Sequence, residues 1–207
     1  MTDYAAHISR EIQESIAVQT ELARAASEQI AEAAEAIVAC LRGGGKLIVF
    51  GNGGSASDAQ HMAAEFVGRY AVKRQALAAI ALTTNSSSLT AIANDFGFEE
   101  IFARQLEALA KPEDVIVAIS TSGNSSNVLR GLETAKALGV KRIGFTGNDG
   151  GKLRNLVDIS IIVPSRSTAR IQEAHALIIH ILCGIVEHAF VGDAHRAGQI
   201  LIGGEVR

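Results

Sequence analysis

The sequence has few of the residues that mark several common classes of protein. Its 207 residues include no tryptophan and only two cysteines, and aromatic residues make up 4%. Two cysteines do not make a disulfide framework, and Cys40 and Cys183 lie in apolar, helix-like stretches. We therefore expect both to be small buried residues. The scarcity of aromatic side chains argues against nucleic-acid binding by base stacking.

Strong charge and a membrane-spanning run are also lacking. The formal net charge of −3 provides no electrostatic attraction to nucleic acid or to an anionic membrane. The first residues lack the basic and then apolar organisation of a signal peptide. The longest apolar run, near residues 176–191, contains His180, Glu187 and His188, and we expect it to be too short and too polar to cross a bilayer. A cytoplasmic protein with no nucleic-acid and no membrane partner is predicted.

The N-terminal part of the chain is rich in Ala, Glu and Ile and reads as helix. Residues 2–41 contain no glycine or proline, and Gly43-Gly44-Gly45 follows them. This pattern predicts one or two amphipathic helices that end at the glycines. Because such an arm lies outside an α/β core, its apolar face favours packing on another subunit.

After this arm, short apolar runs alternate with helical patterns, which indicates a parallel sheet covered on both faces. Strands are predicted at 46–50, 77–82, 114–120, 142–146 and 159–163, and helices at 55–70, 89–93, 99–109, 124–138 and 168–190. The prediction is a single domain over residues 1–207, with N-terminal helices at 1–43, an α/β core at 44–190 and a polar tail at 193–207 to which no role is assigned. Ligands of such sheets bind at the carboxyl ends of the strands.

Two loops at such strand ends have the composition of an anion site. Gly51-Asn52-Gly53-Gly54-Ser55 joins the first strand to a helix, and its glycines allow a ligand to approach the backbone at the helix N-terminus. It matches neither the dinucleotide motif nor the P-loop. Ser120-Thr121-Ser122-Gly123-Asn124-Ser125 follows a buried strand, and its four hydroxyls exceed what a helix cap needs. The two loops together predict a phosphate site.

Acid–base side chains follow on two helices. His61 and Glu65 are four residues apart and so share one helix face. Gln172 and His180 lie on the last long helix, separated by about 12 Å along its axis, so one ion reaches both only from between them or with ligands from different subunits. The nitrogen and oxygen atoms of these four side chains suit zinc or a similar divalent ion. The alternative for His180 is a structural role, because a lone histidine among apolar residues is more often a core residue. His175, His188 and His195 are interpreted as partner or surface histidines.

Three further polar residues have both a structural and a functional interpretation. Asn94 and Asp95 stand in a sequence typical of a turn, and Asp95 could instead bind sugar hydroxyls. Arg69, one turn beyond Glu65, could contact a phosphate, pair with a carboxylate or be solvated.

In sequence order these motifs closely resemble those of the phosphoheptose isomerases, a branch of the sugar isomerase (SIS) domain family. The matching segments are 51–55, 58–61 with Glu65, 94–95, 120–125 and 170–173 with His180. The resemblance runs from the N-terminal helices to about Phe190. It implies an α/β three-layer sandwich of the flavodoxin-like SIS type, with a parallel five-stranded sheet flanked by helices and an N-terminal helical arm. Family members often have Asp where this chain has Ala169.

The resemblance also implies roles for individual residues. Phosphate would be held by Ser55, Ser120, Thr121, Ser122 and Ser125, and the sugar site would be lined by Asn52, Gly53, Gly54, Asn94, Asp95 and Gln172. His61, Glu65, Gln172 and His180 would be ligands of one zinc ion per subunit, and the protein would be a homotetramer with active sites at subunit interfaces. The expected activity converts D-sedoheptulose 7-phosphate to D-glycero-D-manno-heptose 7-phosphate for lipopolysaccharide or surface glycan precursors.

Such an isomerase needs a base to move a proton between C1 and C2, and we assign Glu65 as the base and His180 as the partner acid/base. The competing hypothesis is a non-catalytic SIS protein that binds a replication initiator or another partner. That branch tends to lose residues equivalent to Gly54, Ser122 and His180, all of which this chain keeps. A phosphosugar-sensing regulator is a third possibility, but no DNA-binding module accompanies the domain.

Overall fold

The computed structural model describes the backbone of residues 3–201 and the side chains of residues 3–191. Five parallel strands form its sheet, in the order β2-β1-β3-β4-β5. The strands are β1 (Leu47–Gly51), β2 (Ala79–Ala81), β3 (Val115–Ile119), β4 (Lys141–Thr146) and β5 (Ile159–Ile162). Because strand order reverses direction between β1 and β3, the crevice between their carboxyl ends is where a ligand is expected in this fold.

Seven helices surround the sheet in the described part of the chain. They are α1 (Tyr4–Ala25), α2 (Ser27–Arg42), α3 (Gly54–Val67), α4 (Ser86–Phe96), α5 (Ala103–Leu109), α6 (Ser126–Ala137) and α7 (Thr168–Leu201). Short 3-10 turns cover Phe98–Glu100 and Leu153–Asn155. The three-layer arrangement confirms the predicted fold class.

Alternation along β1 divides the core in two. Leu47 and Val49 face a cluster that includes residues of α2, α3 and α7, whereas Ile48 and Phe50 face one formed with α5 and α6. All five residues of β1 are buried, as are all five of β3. Apolar side chains on both faces explain why these strands read as continuous apolar runs rather than alternating ones.

The predicted strands are close to the observed ones, but several helix bounds differ. The N-terminal arm is two helices that break at the buried Ala26. Asn94 and Asp95 were predicted in a turn and instead lie in the last turn of α4, because Gly97, with φ of 97°, is the residue that ends the helix. The predicted helix 99–109 is a 3-10 turn followed by α5.

Helix α7 is longer and more apolar than predicted. It continues to Leu201 instead of ending at Phe190, so the predicted tail 193–207 begins inside the helix, and residues 202–207 lie outside the described part. By length and composition alone, Thr168–Val191 is sufficient to cross a membrane, so the expectation that it is too short and too polar was wrong. Ile178, Ile179 and Leu182 are nevertheless fully buried against the sheet and α2, as in a core helix.

Candidate active site

The two polar loops meet at the carboxyl edge of the sheet. Gly51 pairs with Ile119 in the parallel register of β1 and β3, so the residues that follow each strand are neighbours. Ser55 and Ser120 are both buried, and the Oγ atoms of Ser120 and Ser125 are 3.1 Å apart. This confirms that the loops lie side by side and places three hydroxyl side chains on the inner side of the crevice.

The first residue of the glycine-rich loop, Gly51, has no space for a side chain. A Cβ on Gly51 would lie 2.7 Å from the Ile119 carbonyl oxygen and 2.8 Å from the Ser55 Cβ. Gly53 has φ of 56°, a conformation that residues with side chains seldom adopt. The glycines of this turn therefore bring α3 and its N-terminal N–H groups close to the neighbouring loop.

An amide pair that the sequence analysis missed ties the two loops together. Asn52 Nδ2 donates to Asn127 Oδ1 at 2.8 Å, and Asn127 Nδ2 donates to Asn52 Oδ1 at 2.9 Å. Asn127 is buried in the first turn of α6. Each side-chain amide still has one N–H and one lone pair for a ligand. The pair fixes Asn52 at the mouth of the crevice.

The outer half of the serine-rich loop points elsewhere. Ser122 is exposed, and its Oγ accepts the Asn124 N–H at 3.2 Å. It borders a polar cavity of about 510 Å³ that Asn148, Asp149 and Arg166 also line. Thr121 is half-buried and its carbonyl oxygen accepts the Gly147 N–H at 3.0 Å. Within one subunit, Ser55 and Ser120 are thus buried, Ser125 is half-buried beside Ser120, and Ser122 lies on the exposed side of the loop.

Helices α3 and α7 pack side by side in the same direction. This packing brings the acid–base residues together. Near the start of both helices, a Cβ on Gly54 would lie 2.4 Å from Gln172 Nε2. Further along, His61 Nε2 is 3.3 Å from His180 Nε2 and 3.3 Å from Glu65 Oε1. The imidazole of His61 therefore lies between a second imidazole and a carboxylate.

Asp58 lies one turn before His61 and belongs to the same helix face. Its Oδ2 is buried and has no hydrogen-bond partner among the described residues. Burial raises the pKa of this carboxyl, and the nearby His61 opposes that rise. Asp58 was not among the predicted site residues, although its position three residues before His61 is a signal for a shared face.

The metal prediction fits the local donor set in part. A tetrahedral zinc ion with bonds of about 2.0–2.1 Å holds its ligand atoms about 3.3–3.4 Å apart, which matches both contacts of His61 Nε2. Within the described residues, however, no three His, Cys, Asp or Glu side chains converge closely enough to hold an ion. Gln172 lies two helical turns from His180, against Gly54. The spacing of His61 Nε2 from its two neighbouring donor atoms suits zinc, but the described residues do not form a complete ligand set within one subunit.

Three further predicted residues are exposed and, in the part of the chain that the structure describes, have hydrogen bonds only with their near neighbours in sequence. Asn94 and Asp95 are exposed on α4, and Asn94 Nδ2 donates to Asp95 Oδ1 at 2.7 Å. Arg69 is exposed and donates to the Ala71 carbonyl oxygen at 3.2 Å.

The remaining histidines and the cysteines have structural surroundings. His175 is fully buried, which overturns its interpretation as a surface residue, and burial lowers its pKa to about 4 despite a 3.2 Å contact with the Thr146 carbonyl oxygen. His188 is exposed, and the side chain of His195 lies outside the described residues. Burial raises the pKa of Cys40 to about 11 and that of Cys183 to about 12, so neither is a thiolate nucleophile at neutral pH.

Known proteins are similar to this chain in sequence and in fold. Residues 12–147 match the model of the SIS domain family, a span that includes both loops and all of α3. The phosphoheptose isomerase of Helicobacter pylori strain P12 is 55% identical over 169 residues, 82% of this chain and 86% of that protein. The phosphoheptose isomerase of Trichlorobacter lovleyi is 46% identical over 185 residues, 89% and 94% of the two chains.

A solved structure extends the similarity to the whole fold. The structure of a phosphoheptose isomerase from Francisella tularensis has a TM-score of 0.87 and 42% identity to this chain. The match covers 91% of this chain and 100% of that one.

Proposed function

The chain belongs to the SIS domain family and, within it, to the phosphoheptose isomerases, and from this membership we propose that it interconverts D-sedoheptulose 7-phosphate and D-glycero-D-manno-heptose 7-phosphate. The product would supply heptose for lipopolysaccharide or surface glycan precursors. The observation that carries the proposal is one crevice with hydroxyl donors at one end and an imidazole–carboxylate group along α3 and α7. A replication-initiator-binding protein is not supported, because the similar curated proteins are named as isomerases. A cytoplasmic location stays a prediction.

The phosphate would anchor the substrate at the loop end of the crevice. Neutral hydroxyls of Ser55, Ser120 and Ser125, with the N–H groups at the start of α3, provide donors for its oxygen atoms. Thr121 and Ser122 would complete the anchor from the rim, with Asn52 and the Gly53–Gly54 turn contacting the sugar. The phosphate group is attached to C7, far from C1 and C2. A phosphate bound by the loops therefore leaves the reacting carbons free to lie near His180.

Proton transfer would occur at the other end of the crevice. We assign Glu65 as the base that removes the proton from C1 of the ketose and returns it to C2 of the resulting enediol. His180 would move the second proton from O1 to O2, so that the aldose forms without any other reactant. A positioned acid or base typically contributes about 10²–10⁴-fold to the rate. Loss of either group should therefore remove nearly all turnover.

We further infer that zinc binds at His61, Glu65 and His180, with Gln172 as the fourth predicted ligand. The 3.3 Å contacts of His61 Nε2 support the nitrogen and oxygen set. Bound zinc would polarise a substrate oxygen. A metal bound directly to Glu65 and His180 would compete with their proton transfer, so the metal dependence of the rate is part of the test.

The homotetramer proposal rests on apolar surface that a monomer would leave in water. Tyr4, Ile8, Ile12 and Ile16 recur every four residues on α1 and are each more than half exposed. An apolar groove lies between α2 and α7, with Val38 and Ile185 among its lining residues. If the active sites lie at subunit interfaces, as the family resemblance implies, the exposed Asn94, Asp95 and Arg69 of one subunit would contribute to the crevice of another.

The experiment compares variants of the two assigned groups with the wild type. Glu65→Gln and His180→Gln should each abolish conversion of sedoheptulose 7-phosphate, followed by NMR of the sugar, while circular dichroism and oligomeric state stay unchanged. His188→Gln is the matched control, because His188 is exposed on the same helix eight residues further on. Retained turnover in the Glu65 or His180 variant would remove that residue from the mechanism.

A further inference from the structure

A buried carboxylate on α7 holds the segment that follows α3. Glu187 is 3% exposed, and its two oxygens accept the backbone N–H groups of Tyr70, Ala71 and Val72 at 2.9, 2.7 and 2.9 Å. Burial by itself would raise the pKa of this carboxyl, but the three amides and Arg74 reverse the effect and lower it. The charged form therefore pins residues 70–72 against α7.

Arg74 joins the same carboxylate to the end of α3. Its Nε donates to Glu187 Oε1 at 3.1 Å, and its terminal nitrogens donate to the carbonyl oxygens of Glu65 and Phe66 at 2.8 and 2.9 Å. These are carbonyls of the last turn of α3, which has no basic residue of its own. A guanidinium from outside the helix thus caps the turn that contains Glu65.

The pinned segment carries an aromatic ring onto His180. The ring centroids of Tyr70 and His180 are 5.7 Å apart, with 32° between the ring planes. Gly184, one turn after His180, lies beside the same ring, and a Cβ there would be 3.4 Å from Tyr70 Cε1, an ordinary contact distance. Tyr70 therefore packs across one face of the helix turn 180–184.

We propose that Tyr70, held by Glu187 and Arg74, is a positioning residue that fixes the orientation of the His180 imidazole relative to His61 and Glu65. The proposal rests on the function proposed above. One buried ion pair fixes both sides of the proton-transfer group, since Arg74 secures the backbone of Glu65 and Glu187 secures Tyr70. The contact needs the ring of Tyr70 and not its hydroxyl, which has no hydrogen-bond partner among the described residues.

The test uses Tyr70→Ala and Tyr70→Phe in the full-length protein. Tyr70→Ala removes the ring but keeps the backbone N–H that Glu187 accepts, so the pin itself remains. A misplacement of a catalytic group by about 1 Å can lower the rate about 10²-fold. We therefore expect kcat of Tyr70→Ala to fall about 10- to 100-fold, while KM changes less than about threefold. Tyr70→Phe should stay within about threefold of the wild type. Wild-type kcat in Tyr70→Ala would overturn the proposal.

A spectroscopic measurement separates positioning from the reaction. In protein labelled at histidine Cε1, the nuclear Overhauser effect (NOE) between the His61 and His180 rings, assigned with His180→Gln, should weaken in Tyr70→Ala and in Glu187→Gln, because it depends on the distance between the two imidazoles and not on the ring current of Tyr70. The signal of the buried His175 serves as the internal reference and should not change. If the wild type does not convert sedoheptulose 7-phosphate, the proposed function is wrong. The NMR measurement then tests by itself whether Tyr70 positions His180. An unchanged NOE between His61 and His180 in Tyr70→Ala would overturn it.

Discussion

Replacement of Gly54 by alanine should damage the site through one side chain, Gln172. The new Cβ would lie 2.4 Å from Gln172 Nε2, 2.8 Å from its Cδ and 3.1 Å from its Oε1, whereas ordinary contact begins near 3.4 Å. The amide of Gln172 must therefore retreat by about 1 Å. A displacement of that size in a site can cost about 10²-fold, or about 2.7 kcal/mol of transition-state stabilisation.

Loss of folding does not explain such an effect. Gly54 is the first residue of α3, and its φ is not in the positive range, so alanine fits the backbone there. Alanine in place of glycine at a compatible position usually stabilises a protein by about 0.4–1 kcal/mol. We therefore expect an unchanged or slightly higher melting temperature together with a kcat/KM lower by about 10- to 100-fold.

A double-mutant cycle tests the route of the effect. In the Gln172→Ala background, the added methyl group of Gly54→Ala has no amide to displace, so the second substitution should cost less than about twofold. Steady-state turnover of the heptose phosphate in all four proteins gives the coupling. The reasoning is refuted if Gly54→Ala keeps wild-type kcat/KM, or if its cost is equally large without the Gln172 amide.

Three further predictions follow from contacts in the structure. Ser125→Ala removes the partner 3.1 Å from Ser120 Oγ and should raise KM for the substrate about 5- to 50-fold, whereas a change confined to kcat would contradict a role in phosphate binding. His175 has its folded-state pKa lowered to about 4 from 6.5, so the neutral form stabilises the fold above about pH 6.5 and that contribution is lost as the pH falls toward 4. Urea unfolding at pH 7 and 4.5 should show the wild type losing about 2–3 kcal/mol more than His175→Leu, and equal losses would contradict the assignment. Ile12→Glu on the exposed stripe of α1 should dissociate the oligomer in sedimentation experiments, and an intact oligomer would exclude this face from the interface.

Much of the fold could be predicted because its signals are local. The apolar runs of β1 and β3, each followed by glycine or serine, are buried strands that feed helix N-termini. The length of α7 was underestimated, because Gly192 looks like a stop in sequence but lies inside the helix. Likewise, Asn94 and Asp95 have the composition of a turn, while the backbone of Gly97 places the helix end after them.

The parts of the site that escaped the sequence analysis depend on distant pairs. Asn52 and Asn127 are 75 positions apart, and no spacing rule links two asparagines at that distance. The same holds for Tyr70 and His180. In contrast, His61 and Glu65 were found because one helix carries both on one face. Gln172 could be placed on α7 by the sequence, but its contact with Gly54 depends on how α3 and α7 pack.

The measurement that tests the central claim most directly is the conversion of sedoheptulose 7-phosphate by the purified protein, followed by NMR of the sugar. It should be made as purified, after chelation and after addition of zinc. We predict that the aldoheptose 7-phosphate appears, with a rate that falls on chelation and recovers with zinc. No product under any of these metal conditions, from a folded oligomer, would contradict the isomerase assignment.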